Sequence, residues 1–261
     1  MTNFVPLNRS WHARKAWRRF NSYGFASAHA VIPLVGAEFG KAAVSMPIAF
    51  VEQSGGYVPV AVMSPIAGRN FFIGPAGQWL GAYVPAALRC YPFRFVGVEG
   101  AEGSTLCIDE DSGRVVDADG TAEDFFDAEG NPSPATKAVL SFLSEIERNR
   151  TLTDMAVAAI AETGLIQPWP LRVKVADQIT PFNGLFRIDE PAMNALDDAD
   201  FLKLRKSGAL PLAYMQLLSM AQVAVFDQLN RILQQLAPPT ERQLSLDEIF
   251  ATADSGILRF N

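Results

Sequence analysis

Short apolar runs separated by turn residues fill the first half of the chain. Four of these runs are rich in valine, isoleucine, phenylalanine and tyrosine and are bounded by glycines, a pattern typical of β-strands. The predicted strands are Ser45–Glu52, Tyr57–Ser64, Cys90–Glu99 and Ser104–Asp109. Pro47, Pro59 and Pro92 lie inside three of them. Because proline cannot donate to a β-ladder, we expect edge, bulged or irregular strands in an antiparallel, strongly bent sheet.

Shorter β pieces and then a helical periodicity follow. Val115–Asp127 is predicted to form hairpin pieces around a turn at Asp119-Gly120. Ser133 as N-cap and Pro134 at the first helical position then predict the start of a helix. Its apolar face recurs at a spacing of about 3.6 residues and comprises Val139, Phe142, Leu143 and Ile146.

The rest of the pattern predicts more helices than strands. Thr153 is expected to cap a second helix that ends at Gly164. Two late strands are predicted at Leu171–Val175 and Leu185–Asp189. Further helices are predicted at Pro191–Lys206, at about Pro211–Leu236 as the longest of the chain, and after the capping-box residues Ser245–Glu248.

These elements predict an α+β fold. We expect a bent, mostly antiparallel sheet from the N-terminal half, packed with helices from the C-terminal half. The sequence contains no internal repeat and no linker long or polar enough to require two independent domains. One domain is therefore expected over residues 25–261, β-rich over 25–131 and helix-rich over 132–261. Residues 1–24 form a basic, aromatic arm ahead of it.

Composition places the chain among globular proteins and narrows its partners. Of 261 residues, 49% are hydrophobic and 19% are charged, which suits a sizeable core and disfavours wholesale disorder. The formal net charge of −6 argues against general nucleic-acid binding, which needs a basic surface. The only histidines, His12 and His29, leave little material for a histidine-rich metal site. No metal or cofactor is expected.

The two cysteines, Cys90 and Cys107, do not form a CxxC pair. A disulfide between them would close a loop of sixteen intervening residues, which geometry allows. Two buried thiols in neighbouring strands are the favoured interpretation, because a free cysteine behaves as a small core hydrophobe.

Membrane insertion and export have little support in the sequence. No run approaches the roughly 20 apolar residues of a transmembrane helix, so none is predicted. Basic residues over positions 9–19 and the apolar stretch Phe25–Val35 resemble a signal peptide, but His29 and Pro33 interrupt the apolar part. We therefore expect a cytoplasmic location by default, with export without a cleaved signal as the alternative. The oligomeric state stays open.

The stretch Asp109–Glu129 is strongly acidic and offers oxygen ligands at a density that could hold Ca²⁺. The spacing of an EF-hand loop fails, however. With Asp119-Gly120 at its central turn, Val115 and Phe126 fall where the first and last carboxylates belong. A solvated acidic hairpin tip is therefore favoured over a calcium site.

The segment Ser10–Phe25 combines several lysines and arginines with Trp11, Trp17, Phe20 and Tyr23. Such a composition can bind nucleic acid through stacking and phosphate contacts, or lie on an anionic membrane. It can equally dock its rings on the core and leave its charges in solvent. The acidic remainder of the chain favours this docking arm, which could also pair with an acidic partner surface.

Catalytic signatures are absent from the sequence, which has no G-x-S-x-G elbow, H-E-x-x-H, Walker A or G-x-G-x-x-G motif. His29 lies in an alanine-rich apolar context and is predicted to be a core histidine rather than a base. Arg69 and Asn70 could present a polar pair at a pocket mouth, although a turn between strands is favoured. No catalytic or metal-ligating residue is assigned, and a non-enzyme is favoured over an enzyme.

The aromatic run Asn70–Phe95, rich in glycine and proline, carries a family resemblance. It contains Asn70-Phe71-Phe72, Gly77-x-Trp79, Tyr83-Val84-Pro85-Ala86 and Tyr91-Pro92-Phe93. Matching elements elsewhere are His29 with Val31-Ile32-Pro33, Glu38-Phe39, Pro47–Phe50, Leu106–Asp109, Phe125–Asp127 and Gly184–Glu190. Over roughly residues 25–255, this order resembles the SapC-like family, named after a surface-layer-associated protein.

Two positions depart from the family pattern. Arg69 stands where an acidic or amide residue usually comes, and Cys90 where a second basic residue often follows the one matching Arg89. The resemblance implies an association with surface layers or with envelope, uptake or modification systems. Members look encoded near outer-membrane uptake receptors and flavin-dependent halogenase-like enzymes. The resemblance supplies no established catalytic residues.

Three functions are compatible with the sequence. The favoured one is a non-catalytic structural or interaction protein with a protein partner, surface-layer- or envelope-associated or accessory to a modification or uptake system. The second is a module for a peptide or a small aromatic ligand, and proline-broken edge strands could accept a peptide by augmentation. Its candidate residues are Arg69, Asn70, Trp79, Tyr83, Tyr91 and Arg94. The third is an unrecognised enzyme, with Asp109, Asp189 or Glu190 acting with Arg69 or His29.

Overall fold

The computed structural model describes residues 3–97, 103–175 and 178–236. Its strands are β1 (Phe4–Pro6), β2 (Lys15–Trp17), β3 (Val31–Pro33), β4 (Ile48–Gln53), β5 (Gly56–Val62), β6 (Phe93–Gly97), β7 (Ser104–Asp109), β8 (Val115–Asp117), β9 (Glu123–Asp124), β10 (Ile166–Pro168), β11 (Leu171–Val175), β12 (Gln178–Phe182) and β13 (Phe186–Ile188). Its α-helices are α1 (Arg9–His12), α2 (Phe39–Ala42), α3 (Ala86–Arg89), α4 (Pro134–Glu162), α5 (Glu190–Asn194), α6 (Asp198–Lys206), α7 (Ala209–Ser219) and α8 (Val225–Leu236). The predicted α+β class is confirmed, since antiparallel sheets combine with helices.

The largest sheet has five antiparallel strands in the order β10-β13-β4-β5-β3. The apolar runs of the sequence correctly predict β4 and β5. Pro59 lies within β5 opposite Phe50, and its carbonyl accepts a hydrogen bond from the Leu34 amide on the β3 side. Because the amide and carbonyl of a strand residue point the same way, the donor that Pro59 lacks would face that side. Registered pairing with β3 ends one residue away, at Val60, so this proline removes only the reciprocal bond to Leu34 at the end of the ladder.

A second sheet, in the order β1-β7-β6, contains the other two strands predicted for the first half. Beside it, β2 lies between β8 and β9 and pairs with both of them. The prediction that Val115–Asp127 forms a hairpin of its own is therefore wrong, because a strand from the basic arm separates its two pieces.

A single helix of 29 residues, α4, follows these sheets. Ser133 caps it as predicted, since its hydroxyl accepts a hydrogen bond from an amide of the first turn. The predicted second helix at Thr153 is wrong, because α4 continues through that residue. The buried Thr153 hydroxyl donates to the Asn149 carbonyl and accepts from the Gly36 amide. Gly164, with a φ of 71°, follows the helix end as expected.

The described residues form two hydrophobic cores, and both include residues of α4. The larger core joins the five-stranded sheet to the C-terminal half of α4, through Val157 and Ile160, and to α7 and α8. The smaller core joins the second sheet to the N-terminal half of α4, through Leu143. One continuous helix therefore ties the two cores together.

The helices predicted after residue 189 need two corrections. Pro191–Lys206 is two helices rather than one, because Asp197 caps α6 with its side chain and so starts a new helix. The predicted longest helix is interrupted by a 3₁₀ segment, Met220–Ala224, and α4 is longer than either part. The capping box at Ser245–Glu248 lies outside the described residues.

The stretch Ala209–Leu236 is long and apolar enough to cross a membrane by length and composition alone. Its most apolar window is 39% buried, and the core helix of a soluble protein passes the same test. One such stretch is weak support for a membrane span, and the expected absence of a transmembrane segment stays a prediction.

Candidate functional site

The aromatic run of the sequence folds into a tight, irregular corner between β5 and β6, here called the corner (residues 70–92). The Trp79 indole donates to the Tyr83 carbonyl at 2.9 Å, and its ring stacks on Phe72 with centroids 5.5 Å apart. A β-carbon at Gly81 would lie 2.7 Å from the Phe72 ring, so glycine is required there. The buried Asn70 side chain donates to a backbone carbonyl and accepts from the Phe72 amide. These residues serve first to close the corner.

A buried carboxylate, Glu38, anchors the corner from outside. It is 5% exposed. Its Oε1 accepts hydrogen bonds from the Tyr83 hydroxyl at 2.8 Å and from the Ala86 amide at 2.6 Å. Its Oε2 accepts from the Val35 amide at 3.0 Å. Because burial strips a carboxylate of its hydration, this set of donors is what allows Glu38 to lie in the interior.

Arg89, the last residue of α3, lies beside this network. Its guanidinium carbon is 5.0 Å from the centre of the Phe142 ring and 6.0 Å from that of the Tyr83 ring. It forms no ion pair with the carboxylates that the structure describes. Burial, and secondarily the Glu38 carboxylate, raises the pKa of the Tyr83 hydroxyl well above its usual value. The Tyr83 hydroxyl therefore stays protonated and donates a hydrogen bond to the Glu38 carboxylate.

The two cysteines are free, buried thiols as predicted, but the prediction that both lie in neighbouring strands is wrong. Cys107 lies in β7, whereas Cys90 follows α3 and is not part of a strand. Burial raises the pKa of Cys90 to about 12 and also raises that of Cys107. Because a thiol attacks as its thiolate, neither side chain is an activated nucleophile.

Two of the groups suggested for an enzyme, Asp109 and Asp189, accept hydrogen bonds from backbone amides. The buried Asp109 accepts a hydrogen bond from the Asn3 amide at 2.9 Å. Asp189 caps α5 by accepting from the Ala192 amide at 3.1 Å. In each case one carboxylate oxygen is engaged by a backbone amide and thereby supports the local fold.

The buried histidine is not the one that the sequence predicts. His29 is exposed, so the prediction of a core histidine is wrong; it lies in the turn that precedes β3. The buried histidine is His12, which is 1% exposed and packs edge to face on Phe125. Its Nε2 lies 3.2 Å from the Glu110 carboxylate.

The acidic stretch and the basic arm contact each other. Lys15 Nζ lies 2.7 Å from the Asp117 carboxylate, and an Arg19 nitrogen lies 3.0 Å from that of Glu123. Trp17 packs in the smaller core, as the docking-arm interpretation predicts, whereas Trp11 is 67% exposed and does not dock. The carboxylates have separate partners, and the described residues contain no group of three or more side chains placed to hold a metal ion.

The docked arm, the corner and α4 enclose a cavity of about 300 Å³, here called the arm cleft. Its walls are mainly aromatic, with two arginines: Trp17, Phe20, Tyr91, Phe93, Phe142, Arg19 and Arg89. The Tyr91 ring is held in place by stacking on Phe25, with centroids 3.8 Å apart. The arm cleft is thus an apolar cavity with positive charge at its wall.

A larger depression of about 580 Å³, here called the inter-sheet groove, lies between β5 and β6 and is walled on one side by α4. Arg94 at its rim is exposed, with its guanidinium carbon 3.7 Å from the centre of the Phe4 ring. Among the described strands, β6 pairs only with β7, so one edge of β6 is open beside this groove.

The structure distributes the six ligand residues suggested by the sequence over separate places. Tyr91 lines the arm cleft, and Arg94 lines the inter-sheet groove. Arg69 and Asn70 border a third depression on another part of the surface. The remaining two, Trp79 and Tyr83, fill the corner. These residues therefore do not surround a common pocket.

Sequence reasoning missed Glu38, Arg89 and Trp17 as site residues. Glu38 had a signal, since the Glu38-Phe39 pair belongs to the family pattern. Arg89 and Trp17 also had signals, as a basic position of the family pattern and as an aromatic of the arm, but their meeting in one cleft was not predictable because the segments lie far apart in the chain.

A family model covers most of the chain. The model described as SapC matches residues 7–225, which include both sheets, the corner and α4. Neither the curated proteins nor the solved structures include one that matches.

Proposed function

This chain belongs to the SapC family, and from that premise we propose that it is a non-catalytic interaction protein. It holds an extended segment of a partner protein in the inter-sheet groove, along the open edge of β6. In this role it is a structural or accessory component of a surface-layer, envelope, uptake or modification system. It acts in the cytoplasm unless it is exported without a cleaved signal.

The open edge of β6 is the observation that carries this proposal. The Asp109 amide donates a hydrogen bond to the Pro92 carbonyl. With the register of the two strands, this bond shows which residues of β6 point their backbone groups toward β7. Because amides point alternately to the two sides of a strand, the Val96 amide faces β7, and the amides of Phe95 and Gly97 face the open edge. A partner segment can therefore add to this sheet through backbone hydrogen bonds.

Side chains around the groove supply apolar contacts for such a segment. They come from both sheets and from α4: Val58, Pro59, Phe93, Phe95, Leu143 and Ile146. In strand addition the backbone gives most of the affinity and such side-chain pockets give specificity. The groove and the open edge together thus provide what an extended peptide needs.

The non-catalytic part of the proposal rests on how the polar groups are used. Glu38, Asp109 and Asp189 accept hydrogen bonds from backbone amides. Burial keeps the Cys90 thiol protonated. In each case the chemistry of the side chain supports the local fold.

A pair of substitutions at Gly97 tests the strand addition. Gly97→Pro removes an amide that faces the open edge, whereas Gly97→Ala keeps it. A β-carbon at this position would meet no atom within 4 Å, so alanine fits without a clash. Wild type and Gly97→Ala should capture the same partner from native-cell extract. Gly97→Pro should bind the partner, or a synthetic peptide of its contacting segment, about tenfold more weakly.

Equal affinity of the two Gly97 variants, with unchanged thermal unfolding, overturns strand addition at β6. The identity of the captured partner then separates the two roles. Surface-layer or envelope components indicate a structural role, and a modifying enzyme indicates an accessory one.

A further inference from the structure

We propose that the arm cleft binds a small organic anion with an aromatic body, of the class of aryl carboxylates, and that Arg89 pairs with its charge. This inference goes beyond the proposed function, because a small-molecule site does not require a partner protein. The arm cleft and the inter-sheet groove share only the wall formed by Cys90 and Phe93 among their described lining residues.

The shape of the cleft selects the aromatic body. Its volume of about 300 Å³ lies at the lower end of the range for small-ligand sites. Trp17 and Phe93 meet edge to face with centroids 4.8 Å apart, so these two walls fix each other. Phe142 and Tyr91 supply further ring surface. A flat ring system can therefore enter a cavity whose walls are already in place.

The charges at the cleft select an anion. Arg19 is engaged by Glu123, with nitrogen and oxygen 3.0 Å apart. Arg89 is different, because its guanidinium rests near the face of Phe142 and has no carboxylate partner among the described residues. Apart from the Tyr83 hydroxyl, which lies within hydrogen-bonding reach of it, the Arg89 guanidinium has further N–H groups that can pair with a carboxylate. Arg89 is thus the charged group left for a ligand.

A second polar group in the wall also lacks a partner. Trp17 is 5% exposed, and its indole N–H has no hydrogen-bond acceptor within the described part of the chain. A buried donor without an acceptor costs free energy, and a ligand oxygen that reached this N–H in the cleft wall would relieve that cost. Cys90 in the same wall stays protonated, since burial raises its pKa to about 12. None of the residues that line the arm cleft is acidic, and the Glu38 carboxylate is not among them.

Naphthoate and its uncharged counterpart naphthylmethanol test the site on the purified full chain by isothermal titration calorimetry. Naphthoate should bind wild type about tenfold more tightly than naphthylmethanol, because only naphthoate pairs with Arg89. Arg89→Met should weaken naphthoate about tenfold and leave naphthylmethanol unchanged. Arg94→Met is the matched control, since Arg94 lies at the inter-sheet groove, and naphthoate affinity should stay within about twofold.

Filling the cleft tests its location independently. Ala138 lines the arm cleft and Ala158 does not, although both are exposed on α4. Ala138→Trp should abolish the binding of both probes, whereas Ala158→Trp should leave it unchanged.

The absence of naphthoate binding to folded wild type overturns the proposal, as does binding that survives Ala138→Trp. Equal affinities for the two probes overturn the assignment of an anion. None of these results bears on partner capture at β6, so the two proposals fail separately.

Discussion

Glu38 is the residue on which the geometry of the corner most depends. Its carboxylate joins the segment that precedes α2, the start of α3 and the Tyr83 hydroxyl. We expect Glu38→Gln to lower the free energy of unfolding by about 3 kcal/mol, because an amide nitrogen would then face donors instead of accepting from them. Denaturation in urea measures this loss.

Glu52→Gln is the matched control, since Glu52 is exposed near the end of β4. Its effect should stay within about 0.5 kcal/mol. A loss for Glu38→Gln that is no larger than this control would show that the corner does not depend on the buried carboxylate.

Among the elements, β2 is held by its ladder and by the burial of Trp17 rather than by ion pairs. Trp17 is 5% exposed, whereas the side chains of Lys15 and Asp117 are 43% and 87% exposed. We expect Trp17→Ala to lower the free energy of unfolding by about 4 kcal/mol, because it leaves a cavity in the smaller core. Lys15→Ala should cost less than about 1 kcal/mol, because solvent screens an exposed pair. Urea denaturation of both variants measures the two losses of unfolding free energy. Comparable losses would contradict the prediction that Trp17 matters more than the Lys15 ion pair.

Elements were predictable where a local pattern fixes them. Runs rich in β-branched and aromatic residues and bounded by glycines identified β4 and β5, and Ser133 with Pro134 identified the start of α4. Thr153 misled because a threonine inside a helix can bond the preceding turn as well as cap a new one. The position of β2 between β8 and β9 was not predictable, because its partners lie about a hundred residues away in the chain and leave no periodic trace.

The same distinction applies to the candidate site. Tyr91 and Arg94 were identified from their aromatic and basic character within the family run, and both line cavities. The arm cleft itself was not predictable, because its walls come from the arm, the corner and α4. Only the folded chain brings Trp17 and Arg89 to one cavity.

At the scale of the whole molecule, α4 should make the two cores unfold together. Its N-terminal half packs in the smaller core and its C-terminal half in the larger one. Melting one core therefore frees half of a helix that the other core needs. Native-state hydrogen exchange of β5 and β7 in rising denaturant should converge on one free energy of opening. Separate free energies that persist up to the unfolding transition would show that the cores are independent.

The long reach of β2 also has a consequence for synthesis on the ribosome. Lys15 pairs with Asp117, so the arm emerges roughly a hundred residues before its neighbours exist. At translation speeds of about 5–20 residues per second, this basic, aromatic segment waits for some 5–20 s before it can dock. During that interval it is open to chaperones, and the arm cleft cannot form until the nascent chain has extended into α4.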